Sequence, residues 1–324
     1  MRIIFMGTPE FALPSLELLL NSKHQIAGIV TQPDKPKGRG LKLLPSPVKE
    51  FAEKHNLSEF VQNGSSGRSI GKVLTPEDLK SEEFYQALNE LKPDLIAVVA
   101  FRILPERIFS LPPSGTINLH ASLLPKYRGA APINWAIIKG EKITGLTTFF
   151  IQKKMDTGEV ILQKEVEIYP EETFGELSLK LSRIGAELLL ETIDLIEKRE
   201  VKTYPQNDLE VSLAPKITEE LCRIDWSKSA LEINNLIRGL SPQPGAFTFL
   251  RGKLLKVYKT KVETDENPSA EFGKIIKADQ RSGLLVQTQK GILRLKEIQL
   301  EGKKKLGTEE FLRGYRIEVG EKLG

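Results

Sequence analysis

Two polar side chains in the segment INLHASLLPKYRGAAPINWA (residues 117–136) have the types and spacing for acyl-transfer chemistry. Asn118 and His120 lie two residues apart in an apolar run typical of a β-strand. Because side chains alternate along a strand, both point to the same face. An asparagine amide is a neutral hydrogen-bond donor, and a histidine can donate a proton near neutral pH. The pair therefore suits stabilisation of the oxyanion that develops when a carbonyl carbon is attacked.

A carboxylate that could orient the His120 imidazole occurs in FFIQKKMDTGEVIL (residues 149–162), where Asp156 begins an Asp-Thr-Gly turn between two predicted strands. Taken alone, an Asn-x-His spacing is more often a packed histidine beside a turn cap, and an Asp-Thr-Gly turn is common. Aspartic-protease chemistry needs a second such turn, which the sequence lacks. On spacing alone, a catalytic and a structural interpretation of these residues both stay open.

Two other classes of site are disfavoured. The three histidines, His24, His55 and His120, lie too far apart for a local ligand pair such as H-E-x-x-H, so we expect no zinc site. The stretch MGTPEF has one glycine where a dinucleotide-binding fingerprint needs three. A bound metal or NAD is therefore not expected.

The Gly/Ser-rich segment 58–72 contains GRSIGK, which is similar to a phosphate-binding loop. That motif requires glycine where Ser66 stands and serine or threonine where Val73 stands. We therefore expect a flexible surface insertion.

Composition indicates an ordinary globular protein. The 324 residues suffice for two domains, and 40% are apolar and 28% charged. The N-terminus lacks a long apolar run with a cleavage site, and no run reaches about 18 apolar residues. We expect a cytoplasmic monomer without membrane contact. Residues 217–324 carry 20 Lys and Arg against 15 Asp and Glu, whereas the remainder is almost neutral.

The first half alternates predicted strands and helices, an order that indicates an α/β, Rossmann-like domain with a mostly parallel sheet. Thr8 is predicted to cap the helix that follows the first strand, and Thr173 and Glu176 are predicted to form a capping box. The predicted strands are 2–7, 25–30, 94–100, 116–120 and 145–151, and the predicted helices include 76–91 and 173–200.

The second half has a different character. Residues 201–216 are polar, contain two prolines and lack a period, which predicts a linker. After a helix near 229–240, short strands and Gly-containing turns predict a smaller β-barrel, OB-like in type. The predicted domains are therefore 1–200 and 217–324, joined by 201–216.

Several motifs at matching spacing resemble the methionyl-tRNA formyltransferase family over nearly the whole chain. In the first half these are RIIFMGTPEFALPSLELL, TQPDKPKGRGLKLLPSPVK, VVAFRILPE, INLHASLLPKYRGAAPINWAI and KKMDTGEVI, and in the second half RIDWSKSALEINNLIRGLSPQPGAF. Segment 58–72 departs from the family, which usually runs almost directly from an HNL-like to a VLTPEDL-like stretch.

The resemblance implies transfer of the formyl group of 10-formyltetrahydrofolate to the α-amine of methionine on initiator tRNA. Asn118, His120 and Asp156 match the family's catalytic positions. Asn118 and protonated His120 would stabilise the oxyanion, while Asp156 would orient the histidine and help to relay a proton to the departing folate nitrogen. The implied reaction uses no metal.

The resemblance also implies binding residues. The folate-contacting candidates are Ser122, Leu123, Leu124, Pro125, Arg102, Ile103 and Leu104, together with the backbone of 150–155. Plain core packing is an alternative for the apolar members of this set. The basic loop 34–42 is expected to contact the end of the tRNA, with Arg39 as the best candidate beside Lys35, Lys37 and Lys42. The basic second domain would bind phosphates of the tRNA body.

Two competing functions remain. A folate-dependent formyltransferase or hydrolase could act on a small amine, a nucleotide or water, with the same fold and donor. A non-catalytic RNA-binding module would use the basic half, but it leaves Asn118, His120 and Asp156 without a role.

Overall fold

The computed structural model of the protein describes residues 1–37, 42–55, 57, 72–264 and 271–324. Arg39 lies outside the described residues, as do residues 58–71 of the predicted insertion and the side chains of Lys37 and Lys42. No helix in the described part of the chain is long and apolar enough to span a membrane.

The described residues form the following elements. The strands are β1 (Arg2–Gly7), β2 (Gln25–Val30), β3 (Lys35–Lys37), β4 (Lys42–Leu44), β5 (Val73–Leu74), β6 (Leu95–Val99), β7 (Thr116–His120), β8 (Arg128–Gly129), β9 (Ile143–Phe150), β10 (Val160–Glu167), β11 (Leu213–Ala214), β12 (Ala246–Leu250), β13 (Lys253–Thr264), β14 (Ile275–Asp279), β15 (Gly283–Gln287), β16 (Ile292–Leu300) and β17 (Leu306–Gly307). The helices are α1 (Leu13–Leu20), α2 (Pro47–Lys54), α3 (Glu82–Glu90), α4 (Glu106–Phe109), α5 (Pro132–Ile138), α6 (Phe174–Lys198), α7 (Glu219–Cys222), α8 (Ala230–Leu240) and α9 (Thr308–Gly314).

The chain divides into two compact units that alternate along the sequence. The first comprises Met1–Gly129, Thr144–Val166 and Ser178–Leu213, and the second comprises Ala130–Ile143, Glu167–Leu177 and Ala214–Gly324. Residues 130–143 and 167–177 thus belong to the second unit, so no single boundary in the sequence separates the two units. The domain limits 1–200, 201–216 and 217–324 stay a prediction.

The first unit is built on a seven-stranded sheet in the order β10-β9-β7-β6-β1-β2-β5. Strands β1, β2, β5, β6 and β7 pair in parallel, and β9 pairs antiparallel with β7. The Rossmann-like, mostly parallel sheet predicted from the sequence is confirmed. The central β1 is apolar and fully buried from Ile3 to Met6, as expected of a strand covered on both faces.

The sheet order reverses beside β1, because β2 and β5 extend to one side and β6 and β7 to the other. In open α/β sheets, ligands bind beyond the carboxyl ends of the strands near such a reversal. Since β6 and β7 are parallel neighbours, His120 at the end of β7 lies at this edge.

The predicted helix cap at Thr8 is wrong. After β1 the chain forms a short 3-10 turn, Glu10–Ala12, before α1 begins at Leu13. Pro14 is the physical reason, because proline lacks an N–H and is tolerated only in the first turn of a helix. The Thr8 hydroxyl is buried, and no described residue hydrogen-bonds it.

Two other helix starts are set by side-chain caps. The predicted helix 76–91 begins only at Glu82, where the Ser81 hydroxyl accepts a hydrogen bond from the Phe84 N–H at 3.2 Å. At the start of α6, the Thr173 N–H donates to Glu176 Oε2 at 2.8 Å, and the Glu176 N–H donates to Thr173 Oγ1 at 3.4 Å. The predicted capping box is therefore confirmed.

The second unit contains an antiparallel sheet in the order β12-β13-β16-β15-β14, and β17 pairs with β16. Its core includes α8, from which Ile233 and Ile237 are buried beside Val257 and Ile298 of the sheet. The predicted β-rich second domain is confirmed as an antiparallel sheet, and its closure into an OB-like barrel stays a prediction.

Ion pairs fix the end of α6 to the start of β2. The Met1 ammonium lies 2.8 Å from Glu197 Oε1, and Lys23 Nζ lies 2.8 Å from Glu197 Oε2. His24 Nε2 lies 3.1 Å from Asp194 Oδ1. The side-chain hydrogen bond from Lys23, followed by the one from the Met1 ammonium, lowers the pKa of Glu197 to about 2. Burial lowers the pKa of His24 below its ordinary 6.5.

These pKa shifts predict a loss of stability in acid. Both groups have a lower pKa in the folded state, so the unfolded chain takes up protons first and the free energy of unfolding falls with pH. For His24 the loss begins near pH 6.5, and for Glu197 it lies between about 4.5 and 2. Urea denaturation of the parent and of Glu197→Gln should show a stability gap that narrows across the lower window. A gap independent of pH would contradict the role assigned to Glu197.

Candidate active site

Strand β7 fixes Asn118 and His120 from both sides. Asn118 is paired with Val98 of β6 and with Phe149 of β9, and His120 is paired with Thr147. The Asn118 side chain is half-buried, whereas His120 is only 6% exposed. Among the residues that the structure describes, none hydrogen-bonds the Asn118 carboxamide. Its donor group is therefore available to a ligand on a rigid strand.

The His120 ring has a defined orientation. Nε2 lies 2.9 Å from the backbone carbonyl oxygen of Tyr127. A carbonyl oxygen only accepts, so Nε2 must carry a proton and donate it. Nδ1 faces Asp156, with 3.9 Å between Nδ1 and Oδ2. This separation is too long for a direct hydrogen bond, and among the described residues no other group hydrogen-bonds Nδ1.

Asp156 is held in a tight turn after β9. Its φ of +54° lies in the left-handed region, which few residues other than glycine adopt. Its carboxylate Oδ2 accepts a hydrogen bond from the Gly129 N–H at 2.8 Å. Two residues later, a Cβ added at Gly158 would come within 1.6 Å of the Phe150 carbonyl oxygen. The glycine of the Asp-Thr-Gly turn is therefore required by close backbone packing.

His120 and Asp156 thus belong to one connected arrangement, and Asn118 lies two residues before His120 on the same strand. Tyr127 contacts His120 through its carbonyl, and Gly129 contacts Asp156 through its N–H, so one short segment orients both side chains. Because Nδ1 and Oδ2 are 3.9 Å apart, one atom that lies beside both can be within hydrogen-bond distance of each. The arrangement can carry out acyl transfer with an amide donor and an acid–base pair.

The segment predicted as a linker supplies residues that the sequence analysis missed. Gln206 hydrogen-bonds the Asp156 turn and also Arg128, and the Ser212 hydroxyl accepts a hydrogen bond from the Tyr127 N–H at 2.9 Å. Residues 201–213 belong to the first compact unit. No periodicity marked them, because they contribute isolated polar contacts instead of an apolar face.

The predicted folate segment Ser122–Pro125 is tied to neighbouring strands. The Ser122 hydroxyl donates to the Lys126 carbonyl at 2.6 Å, and the Leu124 N–H donates to Thr147 Oγ1 at 3.1 Å. The Leu124 carbonyl accepts from Gln163 at 2.8 Å. Leu123 is half-buried, while the other three residues are buried. These polar groups are used within the chain, and a folate contact there stays a prediction.

The second set of residues predicted to contact folate, 102–104, contains both exposed and buried side chains. Arg102 donates to the carbonyls of Glu77 and Pro76 at 3.0 and 2.6 Å, so its guanidinium is turned onto its own chain. Leu104 is 7% exposed and belongs to the core, whereas Ile103 is 75% exposed. Of these three side chains, Ile103 is the exposed one, and its contact with folate stays a prediction.

The basic residues predicted to bind tRNA are described only in part. Lys35 is exposed in β3, which pairs antiparallel with β4. In the second unit, a cavity of about 580 Å³ lies on β13 and β16. Four cations line it alongside three carboxylates, and one of these pairs, Arg294 with Glu263, is an ion pair of 2.6 Å. The four cations are Lys259, Lys261, Arg294 and Lys296.

Comparison with known proteins gives a consistent result over both halves. A family model described as "Formyl transferase" matches residues 1–193, and one described as "Formyl transferase, C-terminal domain" matches residues 216–316. The chain is 49% identical over 325 residues to a methionyl-tRNA formyltransferase of Alkaliphilus oremlandii and 45% identical to that of Acetivibrio thermocellus. Both alignments cover 100% of this chain and 100% of the relative.

Solved structures share the fold. A sugar 3N-formyltransferase crystallised in the presence of dTDP and 5-N-formyl-THF superimposes with a TM-score of 0.63 at 20% sequence identity. The match covers 94% of this chain and 99% of that chain.

We expect the Asp156 turn to reject a side chain at Gly158. The Cβ of Gly158→Ala would overlap the Phe150 carbonyl, so the turn must shift, and the free energy of unfolding should fall by about 1–3 kcal/mol. Gly314→Ala is the matched control, because a Cβ there meets nothing within 4 Å. Urea denaturation of both variants measures the difference. Equal stability of Gly158→Ala and the parent would contradict the described packing.

Proposed function

Because this chain belongs to the methionyl-tRNA formyltransferase family, we propose that it transfers the formyl group of 10-formyltetrahydrofolate to the α-amino group of methionyl initiator tRNA. The full-length match at 49% identity is the observation that carries this proposal. The catalytic residues are Asn118, His120 and Asp156. The contacts around these three side chains support the roles argued below.

Asn118 serves as the oxyanion donor. As the amine attacks the formyl carbon, negative charge develops on the formyl oxygen. The Asn118 amide is fixed on β7 and has no partner within the described residues, so it can direct its N–H at that oxygen without first breaking another hydrogen bond. Donors held in place before the reaction stabilise the transition state without the cost of reorganisation.

His120 and Asp156 take part in transferring the proton that the attacking amine loses. A bond forms between the amine nitrogen and the formyl carbon, and the bond from that carbon to the folate nitrogen breaks. The proton lost by the attacking nitrogen must reach the departing nitrogen. Because Nε2 is bound to the Tyr127 carbonyl, Nδ1 is the ring nitrogen that faces the reacting atoms, and Asp156 lies 3.9 Å away to stabilise its protonated form.

The donor and acceptor have separate candidate contacts. We assign Ile103 and Leu123 as apolar walls for the pterin, with the backbone of 150–155 supplying hydrogen bonds. The other predicted contacts shape the segments 102–104 and 122–125 through the internal contacts and burial described above. They are Ser122, Leu124, Pro125, Arg102 and Leu104. Arg39 is assigned to the end of the tRNA, assisted by Lys35, Lys37 and Lys42.

The second unit binds the tRNA body. Its candidate phosphate contacts line one cavity together with three carboxylates, and they are Lys259, Lys261, Arg294 and Lys296. The protein acts as a cytoplasmic monomer. Small-acceptor formyltransferases share this fold, but the full-length relatives favour tRNA as the acceptor.

An acceptor comparison tests the proposal. The protein is supplied with radiolabelled formyl-folate and, in separate reactions, with charged initiator tRNA, charged elongator tRNA and small amines. Formylation should be far greater with initiator tRNA, and Arg39→Ala should weaken its use while sparing folate affinity. Arg39→Lys should restore part of the loss, because it keeps the charge without the planar fork. Preferential formylation of a small amine would favour the alternative function.

We expect Asn118→Ala and His120→Ala to fold normally and to lose catalysis. Removal of an oxyanion donor, as in Asn118→Ala, typically lowers turnover by about 10²–10³-fold. Removal of a general acid–base group, as in His120→Ala, typically lowers it by about 10²–10⁴-fold. Single-turnover formylation measures the loss, with thermal unfolding and folate affinity as controls. Parental turnover in either variant at normal folate binding would remove that residue from the catalytic set.

A further inference from the structure

Gln206 bridges the Asp156 turn to Arg128. Its amide nitrogen donates to the carbonyl oxygens of Asp156 and Gly158, both at 2.9 Å. Its amide oxygen accepts from Arg128 Nε at 3.0 Å and from Nη2 at 2.8 Å. Each end of this one amide therefore makes two hydrogen bonds.

The orientation of the Gln206 amide is determined by its partners. A guanidinium only donates hydrogen bonds, so the amide oxygen must face Arg128. The amide nitrogen then necessarily faces the two carbonyls, which only accept. A reversed amide would lose all four hydrogen bonds, and Gln206 thus holds the turn in one arrangement.

Asp156 needs such a restraint. A non-glycine residue at a φ of +54° persists only where its surroundings hold it. The bonds from Gln206 to residues 156 and 158 fix the backbone on both sides of Thr157. They thereby set the direction of the Asp156 carboxylate towards Nδ1 of His120.

The other end of the bridge reaches the segment that orients His120. Arg128 lies between Tyr127, whose carbonyl binds His120, and Gly129, whose N–H binds Asp156. The Arg128 side chain is 10% exposed and is held by Gln206 and by Asp208. Gln206 thus contacts both segments that determine the distance between the imidazole and the carboxylate.

We propose that Gln206 is a positioning residue for formyl transfer, which acts by holding the Asp156 turn in register with His120. The inference rests on the proposed function. The remaining contacts of its segment do not depend on it, because Tyr204 pairs with Val160 and Ser212 contacts residues 127 and 128 through separate hydrogen bonds. A variant at Gln206 should therefore fold and still change the geometry of the site.

Gln206→Glu separates the two ends of the bridge. Its carboxylate still accepts from Arg128, but it cannot donate to the Asp156 and Gly158 carbonyls and repels them. We expect kcat for initiator-tRNA formylation to fall by up to about 100-fold, since small displacements of reacting groups have effects of this size, while KM changes little. Asn207→Ala is the matched control, because it removes only a local cap on the Leu209 N–H from the same segment.

The same substitution made in an Asp156→Ala protein distinguishes a positioning role from general damage to the fold. If Gln206 acts through Asp156, Gln206→Glu should have little further effect on the residual activity of Asp156→Ala. Parental kcat in Gln206→Glu would overturn the proposal, and so would an equal loss with and without Asp156.

Hydrogen exchange provides a readout that does not depend on the reaction. Backbone amides of residues 155–159 should exchange faster in Gln206→Glu and at the parental rate in Asn207→Ala. Unchanged exchange in Gln206→Glu would overturn the positioning role. Failure of the parent to formylate initiator tRNA would instead refute the proposed function, while the exchange result would still decide whether Gln206 holds the turn.

Discussion

The site depends on the two hydrogen bonds that residues Tyr127 and Gly129 make with His120 and Asp156. The carbonyl of the first accepts from Nε2 at 2.9 Å, and the N–H of the second donates to the carboxylate at 2.8 Å. Because Tyr127 and Gly129 are only two residues apart, one short backbone segment holds both the imidazole and the carboxylate. The backbone of this segment therefore helps to set the 3.9 Å separation between Nδ1 and Oδ2.

The surrounding structure restricts the movement of both side chains. Strand β7 is paired on both edges, so the positions of Asn118 and His120 are fixed by the sheet. On the other side, the Asp156 turn cannot move inwards, because Gly158 already packs against the Phe150 carbonyl. The proposed oxyanion donor and the proposed proton-transfer pair, held in this way, need little rearrangement when substrates bind, and transition-state stabilisation benefits from such preorganisation.

Local patterns predicted much of this arrangement. The alternation along β7 predicted that Asn118 and His120 share one face, and the apolar runs predicted the parallel sheet. Both patterns could be recognised because each involves only residues that are neighbours in the sequence. The link from Gln206 to Asp156 spans 50 residues and consists of polar contacts without a period, so the sequence predicted only a linker there. The helix after β1 begins later than Thr8 predicts for a local reason, because Pro14 must lie in the first turn of the helix.

The proposed proton transfer depends on which ring nitrogen of His120 carries the proton in the folded protein, and this can be measured. In a chain with His24→Gln and His55→Gln, ¹⁵N-labelled histidine leaves His120 as the one ring observed by NMR. We expect that the neutral ring carries its proton on Nε2 and that the Nε2 proton shows a hydrogen bond to a carbonyl. A neutral ring protonated on Nδ1 would contradict the proposed proton transfer, because Nδ1 would then have no lone pair with which to accept the proton from the attacking amine.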